Sequence, residues 1–352
     1  MKVAHITEAF ESGVVEFLRS LTACTPEIEH TIIYGRHHIY KEVHDSFEKN
    51  VKFVPWPGIN TKISLLKDIK SLEHLVDILK KEQPVDIIHL HSAKAGILGR
   101  IAAGRIGHKK VIYAPHGAAF LRKDISAFAR AAFIAIERAL DVFPAKVVGV
   151  SKSEADAYRR IGISANHINS GTFFSAQMEK KFNEDNFVIV TTGRAMHQKD
   201  PAMFNKIASA FIDNPKINFI WIGDGRERNL LISPNIRITG WVERDEVEKL
   251  LMIADLYLST ALWEGLSYAV LEAMSMQLPL LLKNCSGNKD LVENGINGFL
   301  FSYSAEAIDF INQYFNNREL LRVHGLASFN MLQKDFSVEQ MAKGYRAVYN
   351  SM

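Results

Sequence analysis

The sequence predicts an α/β chain of two domains, each a parallel sheet wrapped by helices. Three observations carry this. Strand and helix signals alternate along the first half, which argues for a parallel sheet. The same alternation starts again in the second half, and a polar stretch over 171–186 separates the two series. At 352 residues the chain is long enough for each domain to bury its own core. The domains are placed at 1–170 and 171–335, with 336–352 as a final helix.

In the first domain the apolar runs over 3–6, 31–34, 86–90, 111–115 and 147–150 read as buried strands. Between them Val14, Phe17, Leu18 and Leu21 recur at helical spacing, as do Leu65, Ile69, Leu72, Val76 and Leu79. Over 125–140, Phe128, Ala132, Ile136 and Ala139 share one side of a helix, with Arg122, Lys123, Arg130 and Arg138 around it. That pattern suits an ordinary domain helix or one resting on a membrane surface. Ser151-Lys152-Ser153-Glu154 is a capping-box signature opening a helix that ends near Gly162.

The second series begins with a strand over 187–191. Asp200-Pro201 then supplies an N-cap and a proline at the first helical position. A strand over 218–222 follows, then a helix capped by Asp245 and carrying Val247, Leu250 and Leu251, then a strand over 256–259. A helix over 268–277, a strand over 278–283 and a closing helix over 337–349 complete the series. No internal repeat or low-complexity tract interrupts it.

Composition narrows the class. Hydrophobic content of 47% with 23% charge fits a soluble globular protein. No apolar run approaches the ~18 residues that a membrane-spanning helix needs. The opening Met1-Lys2-Val3-Ala4-His5-Ile6 reads as a strand rather than a secretory signal. Cys24 and Cys285 lie far apart with no partner pattern, which argues against a disulfide or zinc framework and for a reducing, cytoplasmic setting. Residues 1–168 carry 24 Lys+Arg against 18 Asp+Glu, a balance of +6, and the remainder 18 against 21, a balance of −3. The positive half favours an anionic partner, a phospholipid surface or a pyrophosphate-bearing acceptor, and a merely solvated surface accounts for it equally well. Nothing calls for nucleic acid.

Glu264 and Glu272 are the most informative pair. They flank the step from the strand over 256–259 into the helix over 268–277, so Glu264 and Gly265 sit where a parallel strand turns into a helix. An α/β sheet binds ligands there, because N–H groups and the positive helix end face the crevice. Spacing alone also allows a solvated loop glutamate beside an ordinary first-turn glutamate. Two carboxylates at a phosphate-attracting site make chemical sense when they accept hydrogen bonds from hydroxyls. A nucleotide-sugar, with phosphate in the middle and polyol at both ends, meets that requirement.

The block 254–299 resembles the donor-binding half of the large retaining family of nucleotide-sugar glycosyltransferases with the GT-B fold, the family numbered four. The shared features are the two glutamates with seven residues between them, the strand over 278–283, the turn Ser286-Gly287-Asn288 and the stretch Val292-Glu293-Asn294-Gly295. The resemblance covers nearly the whole chain and is strongest over 191–300. It implies two Rossmann-like domains facing a central cleft, with the nucleotide-sugar on the C-terminal domain, the acceptor on the N-terminal domain, and the closing helix returning to the N-terminal domain.

Residue by residue, the resemblance gives Gly193-Arg194 … Lys199 as a pyrophosphate clamp, two cations able to neutralise charge on a departing nucleoside diphosphate. Alone, they read as surface residues. His116, in Pro115-His116-Gly117 at a strand's carboxyl end, matches the family histidine that lies against the donor sugar. Glu264 and Glu272 match the signature carboxylates, with Glu272 expected on the ribose hydroxyls. Gly265, Leu266 and Ser267 are expected to line the donor pocket, and Gly240-Trp241-Val242 matches the family stretch whose backbone meets the nucleobase. Gly13 lies between the first strand and first helix, where most members have two adjacent glycines at the phosphate; this chain has Ser12-Gly13. Asp290 likewise replaces the usual glutamate.

No Asp-x-Asp occurs, so the transfer is expected to need no metal. His89 and His91 project to one side of a strand end like a metal half-site, and lack a Cys or carboxylate partner in register, so zinc is not expected. Ser92-Ala93-Lys94-Ala95-Gly96 resembles the subgroup that builds bacterial surface polysaccharides and is expected to border the acceptor. The first strand lacks the G-x-G-x-x-G of a hydride-transfer enzyme.

The resulting expectation is a retaining glycosyltransferase without a cofactor. It would move a sugar from a UDP-linked donor to a glycan or a polyprenyl-pyrophosphate-linked acceptor, with peripheral membrane contact. A non-catalytic nucleotide-sugar-binding subunit and a sugar-nucleotide 2-epimerase are the alternatives.

Overall fold

In the computed structural model, β1 (Lys2–Thr7) is an inner strand of a seven-stranded parallel sheet. The structure describes residues 1–35, 41–174, 180, 182 and 185–352, so part of the polar stretch expected over 171–186 lies outside the described residues. After β1 come α1 (Ser12–Ala23), β2 (Glu29–Gly35), α2 (Lys41–Asp45), β3 (Val51–Trp56) and α3 (Leu65–Lys81). The chain then re-enters on the other side of β1 as β4 (Ile87–His91). It continues through α4 (Ala93–Arg105), β5 (Val111–Ala114), α5 (Ala127–Leu140), β6 (Ala145–Gly149), α6 (Lys152–Arg160) and β7 (Ala165–His167). The order is β3-β2-β1-β4-β5-β6-β7.

The two faces of this sheet differ. One carries Ala4, Ile6, Ile33, Ile88 and Leu90 against Leu72, Leu75 and Leu79 of α3, Leu98 and Ala102 of α4, and Tyr158 of α6. The other carries His5, His30, His89 and His91, with Phe17 of α1 against the His89 and His91 rings. Side chains alternate along a strand, so one sheet presents an aliphatic face and an imidazole face.

A second parallel sheet follows. Its elements are β8 (Phe187–Thr192), α7 (Pro201–Ser209), β9 (Ile217–Ile222), β10 (Ile236–Ile238), α8 (Arg244–Ile253) and β11 (Leu256–Ser259). Then come α9 (Tyr268–Ser275), β12 (Leu280–Lys283), β13 (Gly298–Phe301), α10 (Ser304–Asn316) and α11 (Arg318–Asp335). The order is β10-β9-β8-β11-β12-β13, around a core including Phe187, Phe204, Phe219, Trp221 and Tyr314. The last helix, α12 (Val338–Asn350), groups with the first sheet: the chain divides into two units, 1–173 with 338–352, and 174–337. Its Tyr345 packs on Phe17, and its Tyr349 hydroxyl lies 2.9 Å from His89 Nδ1.

The cap signals are met in part. Asp200 Oδ1 accepts from Met203 N at 3.1 Å, with Pro201 opening α7. Asp245 is corrected: Glu243 is the N-cap of α8 and Asp245 lies in its first turn, where a carboxylate favours the helix dipole. Helix α9 stops at Ser275 rather than 277, because Gln277 turns to φ +54°. Helix α5 begins at Ala127, capped by Ser126 Oγ.

Helix α4 approaches its sheet closely because Gly96 and Gly99 carry no Cβ: one there would overlap the Tyr113 ring or Leu90. That approach brings buried Arg100 onto buried Glu137 of α5, Nη2 to Oε2 at 2.7 Å. The Tyr113 and Tyr158 hydroxyls donate to Glu137 Oε1 at 3.2 and 3.3 Å. Removing one member of a buried pair strands the other charge, so Glu137→Ala is expected to lose about 3–5 kcal/mol of stability. Urea unfolding measures this, and an Arg100→Met/Glu137→Met double variant should lose clearly less. Equal loss in both would show that the pair's charge is not what matters.

Candidate active site

In the second unit the chain leaves β8 towards β9 and β10, then returns as β11 on β8's other side. The loops after β8 and β11 therefore diverge at the sheet's carboxyl edge, the topological switch point where open α/β sheets bind ligands. The first loop holds Gly193, Arg194 and Lys199; the second holds Glu264 to Ser267.

These loops are stitched together. Lys199 Nζ reaches Glu264 Oε1 at 2.6 Å. Gln198 Nε2 donates to the Trp263 carbonyl at 2.9 Å and lies 3.4 Å from Glu264 Oε2. Leu262 N donates to the Gln198 carbonyl at 2.8 Å, and Thr260 Oγ1 to the Lys199 carbonyl at 2.6 Å. Burial alone would lower the Lys199 pKa; the Glu264 carboxylate overcomes it and holds the ammonium above its ordinary value. The neighbouring Cys285 thiol is pushed up to about 12, by burial first and by Glu264 second, so it stays protonated.

Two glycine contacts set the loops' positions. Gly287, at φ +83°, passes so close that a Cβ would sit 2.8 Å from Glu264 Cβ, while Glu264 N donates to the Ser286 carbonyl at 3.1 Å. On the other side Gly223 packs on the Gly193 carbonyl with no room for a Cβ, and Ala195 N donates to the Asp224 carbonyl at 2.9 Å. The Gly223-Asp224-Gly225 turn thus braces the Arg194 loop. Arg194 itself is exposed. Lys283, at the end of β12, adds a further cation 3.2 Å from Asp200 Oδ2. Gly265, Leu266 and Ser267 are buried in the turn into α9, Ser267 as its N-cap, and Glu272 is half-buried on that helix. Val242 is half-buried beyond β10, where Gly240 bridges Gly223.

His116 and Gly13 belong to the first unit. His116 follows β5 at φ +54° and Gly117 at φ +104°. Glu154 holds this turn: Oε1 accepts from Gly117 N at 2.6 Å and Ala118 N at 2.9 Å, and Oε2 from Val150 N at 2.9 Å. The capping-box expectation is half met, since Ser151 Oγ accepts from Glu154 N at 3.3 Å while the Glu154 carboxylate reaches to the His116 turn. Burial lowers the His116 pKa to about 3, so its imidazole is neutral at physiological pH.

One expectation in this unit is corrected and two are extended. Gly13 lies inside the first turn of α1, not in the preceding loop, and the left-handed residue is Ser12 at φ 48°. Lys94 is buried, with Nζ 2.7 Å from Asp68 Oδ1 and bonded to the Lys62 carbonyl, so its charge is already met. The N-terminus of α4 is met as well: Glu8 accepts from Lys94 N at 3.1 Å and Ala95 N at 2.9 Å. Finally, His89 and His91 do have a third partner in register, His5 on β1, and ligand nitrogens of the three lie within 4.8 Å of one another. Two of those nitrogens, His5 Nδ1 and His91 Nε2, are hydrogen-bonded together at 3.0 Å.

Comparison with known proteins follows this geometry. Residues 13–169 match the description "Glycosyl transferase 4-like domain" and residues 174–325 match "Glycosyl transferases group 1". UDP-Gal:alpha-D-GlcNAc-diphosphoundecaprenol alpha-1,3-galactosyltransferase of Escherichia coli is 30% identical over 326 residues, 83% of this chain and 79% of that protein. The chain belongs to the group 1 glycosyltransferases. The capsular polysaccharide biosynthesis glycosyltransferase CapM of Staphylococcus aureus is 25% identical over 82% of each chain. Among solved structures, Anabaena Alr3699/HepE in complex with UDP and glucose superposes with a TM-score of 0.81 at 16% identity, covering 100% of both chains. That likeness places the fold in the GT-B class of two Rossmann-like domains.

For this group 1 glycosyltransferase, sequence reasoning missed Glu8, Glu154, Lys283 and the alignment of His5 with His89 and His91. Glu8 directly follows a strand's carboxyl end, which was the available signal, whereas Glu154 was legible only as a helix-cap residue. Lys283 ends a predicted strand, and nothing in its local sequence marks it as paired with Asp200.

Proposed function

We propose that this glycosyltransferase moves a sugar from a UDP-linked donor to a hydroxyl of a glycan or of a saccharide carried on a polyprenyl diphosphate, in the building of a bacterial surface polysaccharide. The observation that carries the reading is the Lys199–Glu264 pair at the switch point of the second unit, 2.6 Å apart between two braced loops. The printed names of the relatives support the substrates: a UDP-galactose donor and a diphosphoundecaprenol-linked acceptor in one, capsular polysaccharide in another.

In this reading the second unit holds the donor. Lys199, Arg194 and the N–H groups at the start of α9 meet the diphosphate, and Glu272 accepts from the ribose hydroxyls. The bond from the anomeric carbon to the diphosphate breaks, the acceptor hydroxyl attacks from the same face, and its proton passes to the departing phosphate oxygen. Configuration is thereby retained, and the protein supplies orientation and electrostatics rather than a covalent intermediate. Cationic side chains do the charge neutralisation that a divalent metal would otherwise do, so no metal is required.

Peripheral docking of the first unit on an anionic lipid surface fits the same reading. No helix among the described residues is long and apolar enough to cross a membrane. Ile63, Leu65, Leu66 and Ile69 are exposed around the start of α3, among exposed Lys62, Lys67 and Lys70, and Leu66 is 84% exposed. On α5, Phe128 is 86% exposed near Arg122 and Lys123. Aliphatic groups between lysines suit the boundary between lipid headgroups and acyl chains.

Glu272→Ala is expected to weaken UDP binding by about 1.5–3 kcal/mol, roughly ten- to a hundredfold in Kd, because a charge-assisted hydrogen bond is lost. Calorimetric titration with UDP checks this, and unchanged affinity would remove Glu272 from the ribose site.

An Arg194→Ala/Lys199→Ala variant should lose turnover while still binding uridine, and the parent enzyme should keep its activity in excess EDTA. Full activity in the double variant rules out the clamp, and a strict metal requirement rules out the metal-free mechanism. Incubation with a UDP-sugar alone separates the alternatives: slow hydrolysis marks a transferase, interconversion of sugars an epimerase.

Liposome flotation at low salt should recover the protein on anionic vesicles and not on neutral ones. Leu65→Glu/Leu66→Glu should abolish recovery, and added salt should weaken it as charges beyond a Debye length of about 8 Å are screened. Absence of binding to anionic vesicles, together with full activity on a soluble acceptor, would defeat the membrane reading alone.

A further inference from the structure

We propose that His30, His5, His91 and His116 form a one-way hydrogen-bond relay that fixes the His116 proton on Nε2 and leaves Nδ1 as its accepting nitrogen.

The relay crosses the imidazole face of the first sheet diagonally. It starts near the amino end of β2 with His30, passes through His5 in the middle of β1 and His91 at the carboxyl end of β4, and ends at His116 beyond β5. The links are His30 Nδ1 to His5 Nε2 at 3.0 Å, His5 Nδ1 to His91 Nε2 at 3.0 Å, and His91 Nδ1 to His116 Nε2 at 2.9 Å. Each imidazole uses one nitrogen towards the previous ring and the other towards the next. His89 stands beside the relay and pairs instead with the Tyr349 hydroxyl.

Direction follows from the far end. Thr25 Oγ1 donates its hydrogen to the Leu21 carbonyl at 2.7 Å, so towards His30 Nε2, 2.9 Å away, it can only accept. The Thr25 carbonyl, 3.3 Å from the same nitrogen, is also only an acceptor. His30 therefore carries its proton on Nε2. A neutral imidazole has one N–H and one lone pair, and burial keeps all four rings neutral, with His30 lowered to about 4, His116 to about 3, and His5 and His91 lowered well below their ordinary value. With its proton on Nε2, His30 offers a lone pair at Nδ1, which must receive His5 Nε2–H. His5 Nδ1 must then receive His91 Nε2–H, and His91 Nδ1 must receive His116 Nε2–H. Reversing any one ring would set two protons or two lone pairs face to face. Among the described residues no hydrogen bond uses His116 Nδ1. In this arrangement His30, His5 and His91 are positioning residues: they set which atom His116 offers.

Full-length protein labelled with ¹⁵N-histidine tests this directly. Long-range ¹H–¹⁵N spectra at neutral pH are expected to show all four rings protonated on Nε2 alone, and an Nδ1–H on any of them overturns the relay. His5→Leu removes the acceptor for His91 and should turn His116 into a mixture of tautomers. His5→Asn, whose oxygen falls near the place of Nδ1, should keep the single form. An unchanged His116 in folded His5→Leu overturns the coupling; if that variant does not fold, the parent and His5→Asn spectra still decide the tautomers.

Discussion

A carboxylate buried at the carboxyl edge of a parallel sheet must find cations or N–H groups there, since its desolvation is otherwise too costly. Three glutamates in this protein impose that constraint. Glu264 meets Lys199, Glu8 meets the first N–H groups of α4, and Glu154 meets the N–H groups of Gly117 and Ala118. Each holds a loop that no strand or helix would fix. Burial pushes the Glu8 carboxyl up, and the α4 N–H groups and Lys94 pull it back, the balance expected of an internal cap. The loops at both sheets' ligand edges are therefore rigid through charge rather than through apolar packing.

The same edge illustrates why an anion-binding geometry is not by itself an anion site. Helix α4 opens at the switch point of the first sheet, between β1 and β4, where a phosphate would be favoured. Glu8 already occupies those N–H groups, and Lys94 is spent on Asp68. In the second unit the corresponding carboxylate, Glu264, turns to a lysine instead and leaves the start of α9 without such an internal cap from itself. Glu8 and Glu264 are thus two buried glutamates at strand ends put to different uses.

Legibility followed burial. Strands β1, β2, β4, β5, β6, β8, β9, β11 and β12 are covered on both faces and read as apolar runs. The four strands missing from the sequence series, β3, β7, β10 and β13, are the four edges of the two sheets. Strand β3 contains Pro55, tolerated at an edge, and β7 and β10 are three residues each. At the candidate site the residue types were readable from the strand-end positions and the family resemblance, whereas their partners were not. Nothing local marks Glu154 as the support of His116, 38 residues before it. Likewise Thr25, His30 and His5 become informative only once parallel registry sets β2, β1 and β4 side by side. Ser12 shows the converse: its φ of 48° explains why glycine is the usual residue at that position.

The pairing of Lys199 with Glu264 bears on how charge is managed during transfer. A lysine already neutralised by a carboxylate is a weaker electrostatic partner for a diphosphate than a lone one. It is also held in place and kept protonated despite burial. An ammonium has three donors and Glu264 engages it through one oxygen, so geometry allows it to serve carboxylate and phosphate together. Under the proposed mechanism, charge developing on the leaving group would strengthen a contact that is already oriented, which lowers the barrier more than an equally strong contact formed on binding. In the first unit burial keeps the imidazoles neutral, so under the proposed mechanism His116 would act without charge. A lysine preorganised by a carboxylate in the second unit and neutral imidazoles in the first both follow from which side chains each unit buries near the carboxyl ends of its strands.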